Sequence, residues 1–247
     1  MEGLEVVPAG EDFRDAVHDF LLDHFRVTEP ITGALGCSRE DVFDFFLDLR
    51  DVAFNNPEVS MLVLDGTTLA AICLNSIKEY PEVESTIPWK FDPNKDYAEE
   101  ISQGPYKSEN ANRLSVFIDT VEEDLQILTN GAKRIFKIDV LCVSRDYQKR
   151  GIGKWLVEES LRRAAAAGCE YLASTGSAVG SQAIFTKLGF ETLRELPFSC
   201  FRENGQEVFR NLADGGRSGK LMGVRLQSHD QNGSKNVLDQ AEEEDLR

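Results

Sequence analysis

Between Phe136 and Gly153 an apolar strand, FKIDVLCV, feeds the segment SRDYQKRGIG and then a helix. β-Branched and aromatic residues stand together at Ile135, Phe136, Ile138, Val140 and Val143, whereas KWLVEESLRRAAAAG beyond Ile152 has helical spacing and stops at Gly168. The change of period falls on Gln148 to Gly153. A helix start leaves backbone N–H groups unpartnered with the positive end of the helix dipole behind them, and Gly151 and Gly153 let an anion approach that backbone. Lys149, Arg150 and Lys154 add positive charge. The chemistry this spacing suits is the holding of a phosphate. Its pattern, Q-x-x-G-x-G, is neither the dinucleotide G-x-G-x-x-G nor the triphosphate loop G-x-x-x-x-G-K-[ST], which the chain lacks. On those letters alone a plain glycine turn fits equally well.

A second candidate lies in DHFRVTEPITGAL. A residue before proline is pushed toward extended backbone, so Glu29 leaves the surface of the helix that precedes Pro30. Read alone, Glu29 is a solvated charge, as most glutamates are. Ser177 reads alone as a helix cap, and Leu141-Cys142-Val143 as buried strand.

Taken together, the strand, the loop, its helix, the strand CEYLAST and a short helix closed by K-L-G-F resemble the acetyl-CoA-binding half of the GNAT superfamily of N-acetyltransferases, over Lys137 to Phe190. The resemblance implies an α/β acetyltransferase fold, with a mixed, mostly antiparallel sheet flanked by helices and splayed at the strand before the loop. It implies acetyl-CoA as cosubstrate, with its pyrophosphate on Gln148, Lys149, Arg150, Gly151, Ile152, Gly153 and Lys154. The backbone N–H groups of Leu141, Cys142 and Val143 would polarise the thioester carbonyl. Glu29-Pro30 after a Phe-rich helix, and the V-E-E of LSVFIDTVEEDLQIL, are similar to invertebrate arylalkylamine N-acetyltransferases of the dopamine type. That likeness implies Glu29 as the base that takes the amine proton. Many superfamily members protonate the departing thiolate with a tyrosine four residues before the glycine of L-G-F, where this chain has Phe185. The dopamine type instead carries two serines four residues apart, matched by Ser177 and Ser181, which the likeness makes partners of Glu29. The implied reaction joins acetyl-CoA and an arylalkylamine such as dopamine, serotonin, tyramine or octopamine, by direct attack without a covalent enzyme.

Composition narrows the partners. The chain has 247 residues, 41% of them hydrophobic, enough for one sizeable domain over 1–228 followed by a polar, acidic tail over 229–247 expected to be disordered. With 27 basic against 43 acidic residues, the net charge of -16 disfavours nucleic acid and anionic membranes and suits a cationic substrate. The five cysteines lie apart, without C-x-x-C pairs or histidines at ligand spacing, so neither a disulfide framework nor a metal site is expected. The N-terminal residues lack the features of a secretory signal, and no apolar run approaches the roughly 20 residues a membrane helix needs. A cytoplasmic monomer is the expectation. Two rivals remain: acetylation of a protein N-terminus, a lysine or a polyamine, and a coenzyme A-binding regulator without turnover. Glu29 and the two serines argue against the regulator.

Elsewhere the pattern predicts a strand at Leu4 to Val7 and a helix over Glu11 to Phe25, with His24 on its apolar stripe as a packed residue. A helix over Arg39 to Phe54 and a hairpin turning at Asp65-Gly66 follow. Lys78 to Gln103, broken by Pro81, Pro88 and Pro93, reads as a pocket wall or a surface loop. A helix is predicted over Asn112 to Leu128, and strands at Glu191 to Phe198 and Gly223 to Leu226 separated by a turn at Gly215-Gly216 and Gly219. Phe43, Phe46, Trp89 and Phe91 are candidates for a ring-binding cavity, although core packing accounts equally well for the first two.

Overall fold

The computed structural model describes residues 3–82 and 92–227. The predicted acidic tail, Trp89 and Phe91 lie outside the described residues. After β1 (Glu5–Pro8) comes α1 (Arg14–Phe20), which continues through one π-helical turn at Leu21–Phe25 into α2 (Arg26–Thr28). Glu29 breaks the run with extended backbone (φ -76°, ψ 122°), and α3 (Pro30–Ala34) starts with proline in its first position. That is where a missing N–H costs nothing. Helix α4 (Arg39–Asn55) opens on a reciprocal cap, the Ser38 and Asp41 side chains each accepting from the other's backbone N–H at 3.1 and 2.8 Å.

The hairpin β2 (Met61–Asp65) and β3 (Thr68–Glu79) is followed by α5 (Ala98–Ser102), α6 (Glu109–Glu122), α7 (Leu125–Leu128) and β4 (Arg134–Val143). Then come α8 (Ile152–Ala166), β5 (Tyr171–Gly176), α9 (Val179–Lys187), β6 (Glu191–Pro197), a small hairpin of β7 (Arg202–Glu203) and β8 (Gln206–Glu207), and β9 (Ser218–Arg225). The seven-stranded sheet runs β1-β2-β3-β4-β5-β9-β6, antiparallel except where β4 meets β5. Parallel neighbours need a crossover, and α8 supplies it. Alternate side chains go to opposite faces: Met61, Val63, Ala71 and Cys73 pack with α8 and α9, whereas Leu62, Ile72 and Leu74 pack with α1, α4 and α6. Both faces are covered, which is why these strands read as unbroken apolar runs.

The sheet opens in one place. Pairing of β4 with β5 ends at Ile138↔Ser174, leaving residues 139–143 of β4 without a neighbour on that side. On its other side β4 skips a residue, with Val140 opposite Leu74 and Ile138 opposite Asn75, so Asp139 is the extra residue of a bulge. Asp139 is thus the point at which β4 parts from both neighbours.

Several predicted elements differ in detail. The helix expected over Asn112 to Leu128 is two helices, because Asp124 takes left-handed backbone (φ 59°) between α6 and α7. Gly215 does turn (φ 73°), but Gly219 lies inside β9, where a Cβ would come within 2.7 Å of the Phe117 ring. Its role is close packing of helix on sheet. His24 is half-buried against Phe20, with ring centroids 4.5 Å apart, while His18 occupies the buried position on that helix. Of the proline-rich stretch, the described part is anchored: Tyr97 is buried against Phe201 at 4.5 Å and begins α5.

Candidate active site

The opening between β4 and β5 is the floor of a cavity of about 580 Å³ that continues along the loop into the start of α8. Two left-handed residues shape that loop, Lys149 (φ 62°) and Gly151 (φ 78°). Gly151 is the residue from which α8 starts, and a Cβ there would meet no atom within 4 Å, so the space beside the first N–H groups of the helix is open. The Gln148 side chain donates from Nε2 to the Val143 carbonyl at 3.1 Å and folds the loop back against the end of β4. Lys149 and Lys154 line the cavity; Arg150 does not, because its guanidinium lies over the Tyr147 ring at 4.8 Å and donates to the Asp146 carbonyl at 2.8 Å. Open N–H groups at a helix start beside two lysines fit a pyrophosphate.

Glu29 stands at the other end of this cavity and is buried. Its position follows from the broken helix, for the carboxylate caps α3. Oε1 accepts from the Ile31 N–H at 3.2 Å and the Ser177 hydroxyl at 2.7 Å, and Oε2 from the Thr32 N–H at 2.7 Å and the Thr32 hydroxyl at 2.5 Å. Those four donors fill the roughly four acceptor sites of a carboxylate. Three come from the chain immediately after Glu29; the Ser177 hydroxyl alone comes from elsewhere, one residue past the end of β5. The Ser177 hydroxyl is therefore the one of the four donors that does not belong to the cap of α3.

Ser177 is not the cap of α9. That helix starts from Ala178, and its first N–H is held by Asp214 Oδ2 at 2.8 Å. Ser181 lies one turn into α9, lines the same cavity and donates to the Ala178 carbonyl at 2.9 Å. The structure thus brings Ser177 onto Glu29 and leaves Ser181 beside the cavity without that contact. Leu141, Cys142 and Val143 line the floor. The Cys142 sulfur is buried, 3.8 Å from the Thr28 hydroxyl, and burial pushes its thiol up to about 12. A thiol so held stays protonated at neutral pH and is no nucleophile.

Behind Glu29 a second cavity of about 330 Å³ opens between α4, α6 and the sheet. The two cavities share Phe25, Glu29, Asp139, Thr175 and Ser177. One face of α4 lines it through Phe45, Asp48, Leu49 and Val52, and one face of α6 through Ser115, Ile118, Asp119 and Glu122. The Tyr106 hydroxyl donates to Asp48 at 2.7 Å, and the Tyr106 ring packs edge-on to Phe45 at 5.4 Å. Phe43 and Phe46, candidates for ring binding or for core packing, lie outside it: Phe46 is fully buried in the core, as the packing alternative has it, and Phe43 is exposed and touches His18. The wall turns on the neighbouring residue, Phe45, because the cavity faces a stripe of α4 offset from its core stripe of Val42, Phe46 and Ala53.

Thr32, Asp139 and Thr175 were not apparent as site residues in the sequence. The spacing E-P-I-T held the signal for Thr32, since a cap and the residue three positions on are natural partners. Among the described residues no group of histidine, cysteine, aspartate and glutamate could hold a metal ion, and no helix is long and apolar enough to cross a membrane.

A parallel strand pair that parts beside a phosphate-fitting loop, with a buried carboxylate on the same cavity, is an α/β site suited to a phosphate-bearing coenzyme. The family model described as "Acetyltransferase (GNAT) family" matches residues 37–190, and the chain belongs to that family, the acetyl-CoA-dependent N-acetyltransferases. Similar solved structures include arylalkylamine N-acetyltransferase 2 from Aedes aegypti, at TM-score 0.69 and 19% identity, covering 91% of this chain and 99% of that one. A mosquito arylalkylamine N-acetyltransferase like 5b aligns at TM-score 0.72 and 15% identity over 90% of this chain and 100% of its own. A Drosophila melanogaster polyamine N-acetyltransferase, described as forming N-acetylagmatine, aligns at 0.67 and 16% over 90% and 100%. A search of curated protein sequences finds no match.

Proposed function

We propose that the protein transfers the acetyl group of acetyl-CoA to the primary amine of an arylalkylamine by direct attack in a ternary complex. The observation that carries this reading is the hydrogen-bonded pair of buried Glu29 and half-buried Ser177, standing where the coenzyme-side and second cavities meet. In it Glu29 takes the proton that the amine sheds, with the Ser177 hydroxyl as the exchangeable partner that opens an acceptor site. The N–H groups of β4 that face the gap toward β5 beyond Ile138 stabilise negative charge on the thioester oxygen. Ser181 turns its hydroxyl from the Ala178 carbonyl toward the departing sulfur, a rotation that costs one ordinary hydrogen bond. The buried, protonated Cys142 supports direct attack over an acetylated enzyme.

For the acceptor, Phe25, Phe45 and Tyr106 offer ring faces in the second cavity. A second reading, a polyamine acceptor, draws support from Asp48 and Asp119 in the same wall, where a distal ammonium would find a carboxylate. Thiol release from acetyl-CoA over aromatic amines, polyamines and peptides separates them. The first reading predicts fastest release with dopamine, serotonin, tyramine or octopamine; preference for a polyamine supports the second, and release only with peptides contradicts both.

A further inference from the structure

Asp139 has one oxygen without a partner. Its side chain is only 5% exposed, Oδ1 lies 3.0 Å from Lys137 Nζ, and Oδ2 accepts no hydrogen bond among the described residues. A buried acceptor left unmade is uncommon and unfavourable, and it calls for an occupant or a task.

Charge points the same way. Lys137 Nζ also lies 2.5 Å from Glu122 Oε2, and Glu122 Oε1 accepts from the Thr175 hydroxyl at 2.8 Å. Lys137 is 10% and Glu122 18% exposed, so two carboxylates and one ammonium stand together largely out of water, one negative charge in excess. Buried charge is normally matched by its opposite. The excess sits at the β4 bulge, a feature that re-aims a side chain beside active sites, and Asp139 lines both cavities together with Glu29 and Ser177.

We propose that Asp139 is a substrate-binding carboxylate distinct from Glu29: Oδ2, closed off from solvent in the resting fold, turns to the seam of the cavities and receives the ammonium of the incoming amine, which supplies the missing cation to the Lys137–Glu122–Asp139 group. This rests on the amine-acceptor reading above. Asp139 would dock the charged amine at the seam of the cavities; Glu29, saturated by its own four donors, would take the proton afterwards.

The test uses two inert probes on the full-length protein saturated with coenzyme A: N,N-dimethylphenethylamine, a cation at neutral pH, and phenethyl alcohol, its neutral counterpart. Asp139→Asn keeps the side-chain shape and removes the charge. The cation should bind about 10- to 100-fold more weakly, the worth of one charge-assisted hydrogen bond, while the alcohol and coenzyme A change less than about twofold. Equal weakening of both probes, or of neither, overturns the proposal and leaves the acetyltransfer reading standing. Failure of the wild-type protein to bind either probe overturns the arylalkylamine reading and this inference with it. Should Asp139→Asn not fold, Asp139→Glu keeps the charge for Lys137 but displaces the oxygen; a cation-over-alcohol preference identical to wild type would then overturn the proposal.

Discussion

At the scale of single residues, Glu29 is held by a set of donors that it largely supplies through its own position. Because it ends one helix and caps the next, two backbone N–H groups and the Thr32 hydroxyl converge on it, and only Ser177 arrives from elsewhere in the chain. Removing that hydroxyl should cost one charge-assisted hydrogen bond in the transition state. Ser177→Ala is expected to lower kcat about 10- to 100-fold, with the Michaelis constant for acetyl-CoA unchanged. Steady-state kinetics with acetyl-CoA varied decides it; a raised Michaelis constant at constant kcat would make Ser177 a coenzyme contact. Ser181 already spends its proton on the Ala178 carbonyl. Since a thiol with a pKa near 8.5 leaves with modest help, Ser181→Ala should lower kcat by about one power of ten, and unaltered kinetics would remove Ser181 from the reaction.

At the scale of elements, the loop before α8 was legible because its signals are local: a change of period, two glycines and flanking lysines all fall within a few residues. The open space at Gly151, in left-handed backbone, gives a direct test. Saturating coenzyme A at 100 times its dissociation constant should stabilise the wild-type protein by about 2.7 kcal/mol, seen as a raised melting temperature. Gly151→Asp places an acidic group in that space and should abolish the shift; a normal shift would mean the coenzyme lies elsewhere. Other elements were not legible, each for a physical reason. The bulge at Asp139 depends on how β4 registers with β3, which no local pattern in FKIDVLCV encodes. On α4 two apolar stripes run side by side, so Phe46 and Phe45 look alike until the fold decides which meets the core and which the cavity. The Glu29-Pro30 break could be read from proline chemistry, whereas its Ser177 partner, 148 positions away, needed the resemblance.

At the scale of the whole molecule, four of the five cysteines, Cys37, Cys73, Cys142 and Cys169, are buried, and Cys200 is half-buried. Burial raises Cys73 to about 11, and Cys37 and Cys142 to about 12, above the roughly 8.5 of a thiol in the unfolded chain. These groups stay protonated in the fold while the unfolded chain ionises, so their contribution to stability is complete below about pH 8.5 and declines as pH rises through about 9 to 12. Melting temperature should accordingly fall between pH 8 and pH 10.5, a shift reduced in Cys142→Ser; an unchanged melting temperature would contradict the burial of these thiols. The net charge of -16 belongs to this scale too: it favours the approach of cations over anions, and the second cavity sets Glu29, Asp48, Asp119, Glu122 and Asp139 against Lys78 and Lys137. The most direct test of Glu29 as the base is the rate of thiol release from acetyl-CoA with a saturating amine in the wild-type protein and in Glu29→Gln. The substitution preserves shape, costs a few degrees of melting temperature through mismatched donors, and cannot accept a proton. The predicted result is a rate lowered about 10² to 10⁴ fold with coenzyme A affinity unchanged. A loss smaller than about threefold at the pH optimum would make Glu29 a structural cap of α3 and contradict the account.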